Sequence, residues 1–267
     1  LIKAKKKFGQ NFLKDESIKQ KIIQSMPNDD KLIVEIGPGL GDLTKELLQA
    51  RKRVVAFEID LELCGYLQKR LKTELKSGQL ELVCNDVLEE WKHESLRDEE
   101  YHLIANLPYY VATNIILKAL DDPKCRSILV MIQKEVAVKF AAQSGDKAFS
   151  ALSILANSIS KAQILFDVGR ECFDPPPKVV SAVLQLEKFR DYTDSDLFET
   201  PEETARFKDF LKAAFQQPRK VLIKNLQSLY PKETLLEQFE ILEISSVARP
   251  HQLKTSDYHL LFKNLNK

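Results

Sequence analysis

The chain of 267 residues lacks any long uncharged run: its strongest apolar stretch, residues 127–132, is short and flanked by Arg126 and Lys134. A bilayer span needs about eighteen such residues, so the sequence is not read as an integral membrane protein. Cysteine is scarce. Cys64, Cys84, Cys125 and Cys172 are far apart and form no CxxC pair, which argues against a zinc or dithiol site and points to reduced thiols in a cytoplasmic protein. No metal site is expected. Histidine is equally sparse. His93, His102, His251 and His259 stand beside no nucleophilic partner in the sequence and are expected at the surface or in packing rather than in a catalytic dyad. Net charge is nearly absent too: 40 basic against 39 acidic side chains leave +1, which neither demands nor excludes a polyanion. The basic start has no apolar stretch behind it and is not read as a secretory signal.

What the sequence does contain is alternation. Residues 31–36 (KLIVEI) are β-rich and run into Gly37-Pro38-Gly39-Leu40-Gly41, after which Leu43, Leu47 and Leu48 take helical spacing over residues 42–48. The cycle repeats with strands at 53–58, 80–84, 101–105 and 127–132 and helices at 61–75, 115–120, 133–142 and 148–158. Strands at 161–168 and 179–186 should complete the sheet, separated by a loop holding Phe173, Pro175, Pro176 and Pro177, since successive prolines cannot sit in a central strand. This order specifies an α/β fold with a mostly parallel sheet. Residues 191–203 are polar and acidic and read as a linker; the remainder carries helical periodicity alone. Local cation clusters occur at Lys3, Lys5, Lys6 and Lys7, and at Arg219, Lys220 and Lys224.

The glycine run lies where the first strand ends, the edge at which open α/β sheets bind ligands. A dinucleotide fingerprint would put its third glycine three residues after the second, whereas the spacing here is Gly37, Gly39, Gly41, and Glu35 precedes it. An acid in that position disfavours a pyrophosphate. Glu58 ends the second strand and can accept from ribose hydroxyls; Asn85 and Asp86 follow the third and can meet an adenine amine. Glu58 and Asp86 could otherwise be turn or capping residues. Acids near a sulfonium match its charge, so the set favours S-adenosylmethionine.

Asn106-Leu107-Pro108-Tyr109 closes the fourth strand at the same edge. An adenine amine is a poor nucleophile because its lone pair is delocalised into the ring. The Asn106 side-chain oxygen and the Leu107 carbonyl could accept both N6 hydrogens and free that pair, with Pro108 fixing the turn and Tyr109 offering a face for a flipped base.

Together these residues resemble the ribosomal RNA adenine N6,N6-dimethyltransferases, the KsgA/Dim-type family. The resemblance also rests on Phe8-Gly9-Gln10-Asn11-Phe12-Leu13, Gln133-Lys134-Glu135-Val136 and Phe173-Asp174-Pro175-Pro176-Pro177-Lys178-Val179, and so covers almost the whole chain. It implies a Rossmann-like class I methyltransferase with a seven-stranded sheet followed by a small all-helical domain: residues 1–190 binding S-adenosylmethionine, residues 191–267 contacting RNA. By resemblance, Gln10, Asn11, Leu13, Gly37, Gly39, Glu58, Ile59, Asp86, Val87 and Asn106 border the cofactor, which leaves as S-adenosylhomocysteine. Tyr109 and Phe173 would stack on either side of the target adenine. Arg219 and Lys220, in Phe215-Gln216-Gln217-Pro218-Arg219-Lys220, and Lys178 would contact RNA, although Pro218 replaces one cation of the family's basic segment. The implied partner is small-subunit ribosomal RNA in an immature 30S particle, met by a monomer. The rival readings are an erythromycin-resistance-type 23S methyltransferase, a DNA adenine methyltransferase and a largely non-catalytic RNA-binding protein.

Overall fold

The computed structural model describes residues 4, 5, 8–194 and 196–267; Lys3, Lys6 and Lys7 of the N-terminal cation cluster lie outside them. In chain order the strands are β1 (Phe12–Leu13), β2 (Leu32–Ile36), β3 (Val54–Phe57), β4 (Leu80–Val83), β5 (Tyr101–Asn106), β6 (Cys125–Gln133), β7 (Ser160–Val168), β8 (Phe173–Asp174) and β9 (Ser181–Lys188). The helices are α1 (Glu16–Ser25), α2 (Asp42–Gln49), α3 (Leu61–Arg70), α4 (Lys72–Ser77), α5 (Val87–Glu90), α6 (Ala112–Asp121), α7 (Lys134–Ala141), α8 (Ala151–Ile159), α9 (Pro201–Ala214), α10 (Leu222–Leu226), α11 (Lys232–Ile241) and α12 (Thr255–Leu265).

Seven strands form one sheet in the order β4-β3-β2-β5-β6-β9-β7, as the resemblance implies. Strands β2 to β6 pair in parallel and β9 runs antiparallel to β6. The strand β2 is buried at all five positions, the mark of a strand covered on both faces. A second, two-stranded ladder pairs β1 with β8, setting Phe12 opposite Asp174 and Leu13 opposite Phe173. Ladders this short leave no periodicity in the sequence.

The chain divides into two compact units: Leu1–Ala137 with Gln163–Lys188, and Val138–Ala162 with Phe189–Lys267. This differs from the expected boundary after residue 190, because half of α7, all of α8 and the start of β7 belong to the second unit. There α8 packs on α9 and α12, and Ser158 bonds the His259 ring at 2.7 Å. Residues 191–203 are not a free linker either. Tyr192, Leu197 and Phe198 are buried, and the Phe198 ring lies 4.8 Å from that of Phe207.

Three further expectations are corrected. The helix expected over 61–75 breaks at Leu71, whose φ of −114° and ψ of 33° leave helical geometry between α3 and α4. Cys64 and Cys84, expected as reduced thiols, form a disulfide with their Cα atoms 6.0 Å apart, whereas Cys125 and Cys172 are free and buried. Parallel pairing of β3 with β4 brings the two together although 20 residues separate them. The strand expected from residue 179 starts at Ser181, leaving Val179 and Val180 exposed in the proline loop.

His102 is a packing residue, buried at the start of β5 with its ring 2.6 Å from Ser127 Oγ and 3.1 Å from Asp29. It stands at the opposite end of that strand from Asn106.

Candidate active site

The carboxyl ends of β2, β3, β4 and β5 open into one cleft in the first unit. Each parallel strand delivers its last residues to the same edge, so register alone gathers Glu35, Glu58, Asp86 and Asn106. Of the residues expected to hold the cofactor, Gln10, Asn11, Leu13, Gly37, Gly39, Glu58, Ile59, Asp86, Val87 and Asn106 all line it, as do Leu107, Pro108 and Tyr109.

The glycine turn is built by close approach. Gly41 caps α2 at a φ of +81°, and a Cβ there would stand 2.6 Å from Leu67 Cδ2; one on Gly39, at φ +61°, would stand 3.0 Å from the Phe12 ring. Only glycine meets both demands. The N–H groups of the three glycines are already used: Gly37 donates to the Phe57 carbonyl at 2.9 Å, Gly39 to Glu58 Oε2 at 3.2 Å and Gly41 to the Pro38 carbonyl at 2.9 Å. Phosphate-binding turns aim such groups at the ligand.

The cleft's electrostatics agree. Glu35, Asp42, Glu58 and Asp86 line it, and no Lys or Arg does so among the described residues. Glu35 is fully buried and its Oε2 has no partner within hydrogen-bond geometry among the described residues; burial pushes its pKa up to about 8, opposed by the nearby Thr44 hydroxyl and reinforced by the charge of Glu58. Burial also raises Glu58, against the backbone N–H groups of Asp60 and Gly39 that favour its ionised form. An orphaned buried acid beside a second acid in a cleft without bases suits a cationic ligand, and S-adenosylmethionine carries both an ammonium and a sulfonium.

Around this floor the wall is held by specific bonds. Gln10 donates to Asp60 Oδ2 at 3.0 Å and accepts from the Lys5 N–H at 2.7 Å, while Lys5 Nζ pairs with Asp60 and Glu62. Asp60, which the sequence reading passed over, is buried, caps α3 and fixes the N-terminal arm. Asp86 caps α5, accepting from the Leu88 N–H at 2.9 Å, so capping and cleft-lining coexist in one residue. Asn85 is exposed, and its amide is bonded to Glu90. Phe8, Phe12 and Tyr110 add aromatic faces to which the sequence reading gave no role in the cleft; for two of them the signal is a glycine opposite the ring, Gly39 facing Phe12 and Gly9 facing Tyr110.

Asn106 donates its amide N–H to the Asn11 carbonyl at 3.1 Å, which leaves Oδ1 as an acceptor with no protein partner among the described residues. The Leu107 N–H donates to the Met131 carbonyl at 3.1 Å and pins the turn to β6. Tyr109 is half-buried, with its hydroxyl 2.5 Å from Ser181 Oγ.

Phe173 is not brought to the cleft. It is 1% exposed and packed in the core with Leu13, Ile18, Ile22 and Val168, because the β1–β8 ladder turns its side chain inward. The ring expected as the second stacking face is thus buried in this structure and does not line the cleft. Lys178 is exposed on that loop; Arg219 and Lys220 are exposed in the turn after α9 of the second unit. Among the described residues no group of three His, Cys, Asp or Glu side chains could hold a metal ion, and no helix is long and apolar enough to cross a membrane.

This sheet order and this acidic, glycine-floored cleft define a Rossmann-like methyltransferase that uses S-adenosylmethionine. A family model described as ribosomal RNA adenine dimethylase matches residues 1–267, and the chain belongs to that family. It is 55% identical over 262 residues to a ribosomal RNA small subunit methyltransferase A of Sulfurimonas denitrificans, covering 98% of this chain and 94% of that one. A Campylobacter curvus protein of the same name is 50% identical over 268 residues, covering 100% and 94%. Among solved structures, a dimethyladenosine transferase from Plasmodium falciparum superposes with a TM-score of 0.77 at 25% identity, covering 96% and 97% of the two chains. The 23S rRNA methyltransferase ErmE reaches 0.71 at 23% identity, covering 96% and 100%, a likeness of fold.

Proposed function

We propose that this protein dimethylates the N6 amines of two adjacent adenines near the 3′ end of small-subunit ribosomal RNA, acting in the cytoplasm as a monomer on an immature 30S particle. The observation that carries the chemistry is the pose of Asn106. Its amide nitrogen is engaged by Asn11, so its oxygen is oriented as an acceptor at the edge where the cofactor cleft opens.

S-adenosylmethionine supplies an electrophilic methyl when bound. Glu58 would hold the ribose and Asp86 the adenine, between Ile59 and Val87; Gly37 and Gly39 would underlie the methionine portion, bordered by Gln10, Asn11 and Leu13. Asn106 Oδ1 and the Leu107 carbonyl would accept from the two hydrogens of the target amine, restoring its lone pair, and Tyr109 would stack on the extruded base. The alkylated amine then loses its proton to water or to one of these oxygens. Alignment, more than proton abstraction, supplies the rate. Arg219, Lys220 and Lys178 would meet RNA backbone. The small-subunit substrate is supported by the names of the relatives at 50–55% identity, each spanned over nearly its whole length.

With labelled cofactor, the protein should methylate unmodified 30S particles and leave fully methylated ones untouched, with dimethyladenosine identified by mass spectrometry. Asn106→Ala should lower single-turnover transfer by at least about a hundredfold while calorimetry shows cofactor affinity changed only a few-fold. Label in 23S RNA, or an Asn106→Ala variant at the wild-type rate, would overturn the reading.

A further inference from the structure

Ser181 is the first residue of β9, directly after the proline loop, and it is fully buried. A buried hydroxyl needs a partner, and the one Ser181 Oγ has among the described residues is the Tyr109 hydroxyl at 2.5 Å. The two residues are 72 apart in sequence and sit on different elements, so the contact is not a by-product of local geometry.

The serine's own place is firmly set. Its Cα is paired across the ladder with Gln133 at the end of β6, and the neighbouring Val180 carbonyl accepts from the Lys134 N–H at 3.0 Å. Three prolines precede it within six residues and stiffen its approach. Tyr109, by contrast, follows a turn and projects into an open cleft, where an unanchored ring could swing about its first two side-chain torsions. The anchor is on the rigid side and the ring on the mobile side.

We propose that Ser181 is a positioning residue that fixes the tilt of the Tyr109 ring for the target base. The proline loop then shapes the base site by tethering the Tyr109 ring, whereas the resemblance implies that it offers the Phe173 ring as a second face. The inference rests on the reading of Tyr109 as the stacking face, and the experiment separates the two.

Single-turnover methyl transfer to unmodified 30S particles is compared for wild type, Ser181→Ala, Tyr109→Phe, the double variant and Tyr109→Ala. Stacking is read from the fluorescence of a short RNA carrying 2-aminopurine at the target position. Ser181→Ala and Tyr109→Phe should each slow transfer about tenfold, the double variant also about tenfold and not a hundredfold, since both remove one bond. Both should relieve fluorescence quenching, and S-adenosylmethionine affinity by calorimetry should stay at the wild-type value. Additive losses, or Ser181→Ala at wild-type rate and quenching while Tyr109→Ala is impaired, overturn the positioning role alone. Wild-type behaviour of Tyr109→Ala overturns the stacking reading beneath it. If Ser181→Ala fails to fold, Tyr109→Phe breaks the same bond without disturbing β9, and a wild-type rate for it overturns the proposal.

Discussion

Glu35 shows how one residue can be read correctly in kind and still hold something the sequence does not disclose. Its position before the glycine turn marks it as an acid unfriendly to phosphate, but only the packed strand shows that it is fully buried with an unpartnered oxygen. Its carboxyl titrates near 4.5 in an unfolded chain and near 8 when folded. Below about pH 4.5 it is protonated in both states, and its contribution is fully present. As pH rises toward 8 the unfolded chain sheds the proton that the folded chain retains, so stability is lost. The ligand-free protein should therefore become less stable between pH 5 and pH 8, and Glu35→Gln, which cannot ionise, should flatten that decline in chemical denaturation. Identical slopes for the two proteins would show that the carboxyl does not hold its proton in the fold. Asn106 gives the complementary lesson: its residue type and place at a strand end were legible, whereas its amide orientation depends on the Asn11 carbonyl, 95 residues away.

Among the elements, legibility followed burial pattern and length. The strands β2 to β6 are apolar runs bounded by turns, and their ends carry the cleft, so most of the candidate site could be placed without coordinates. The helix α1 escaped notice because its only buried apolar side chains are Ile18 and Ile22, too narrow a seam to give a clear period. β1 and β8, at two residues each, gave none at all. Without the ladder nothing around Phe173 in the sequence says that its ring points inward. Removing a fully buried phenylalanine typically costs about 3–5 kcal/mol. Phe173→Ala should lower unfolding free energy by that order in denaturant titration, even without cofactor or RNA. A variant as stable as wild type but impaired only in methyl transfer would return the ring to the base site.

For the whole molecule, the second unit was recognised as helical, but its extent was not. α8 follows the same alternation as the sheet-covering helices, and its apolar composition, Ala-Leu-Ser-Ile-Leu-Ala, names no partner. Only packing assigns it to α9 and α12. The acidic stretch 191–203 misled for the opposite reason: its charges are conspicuous, and its three buried apolar side chains follow no period.

The β1–β8 ladder also has a consequence for how the protein works. It fastens the arm bordering the cofactor to the segment leading into the proline loop, although some 160 residues of chain intervene. Whatever steadies one of these strips must steady the other, and such coupling is reciprocal. S-adenosylhomocysteine should then tighten the grip on unmodified 30S particles several-fold, as read by filter binding with and without it, and particles should tighten the hold on S-adenosylhomocysteine by the same factor. Equal affinities in the two conditions would mean that the ladder transmits nothing. If the factor is real, a spent enzyme lingers on its RNA until the by-product departs, and exchange of cofactor sets the interval between successive methyl groups.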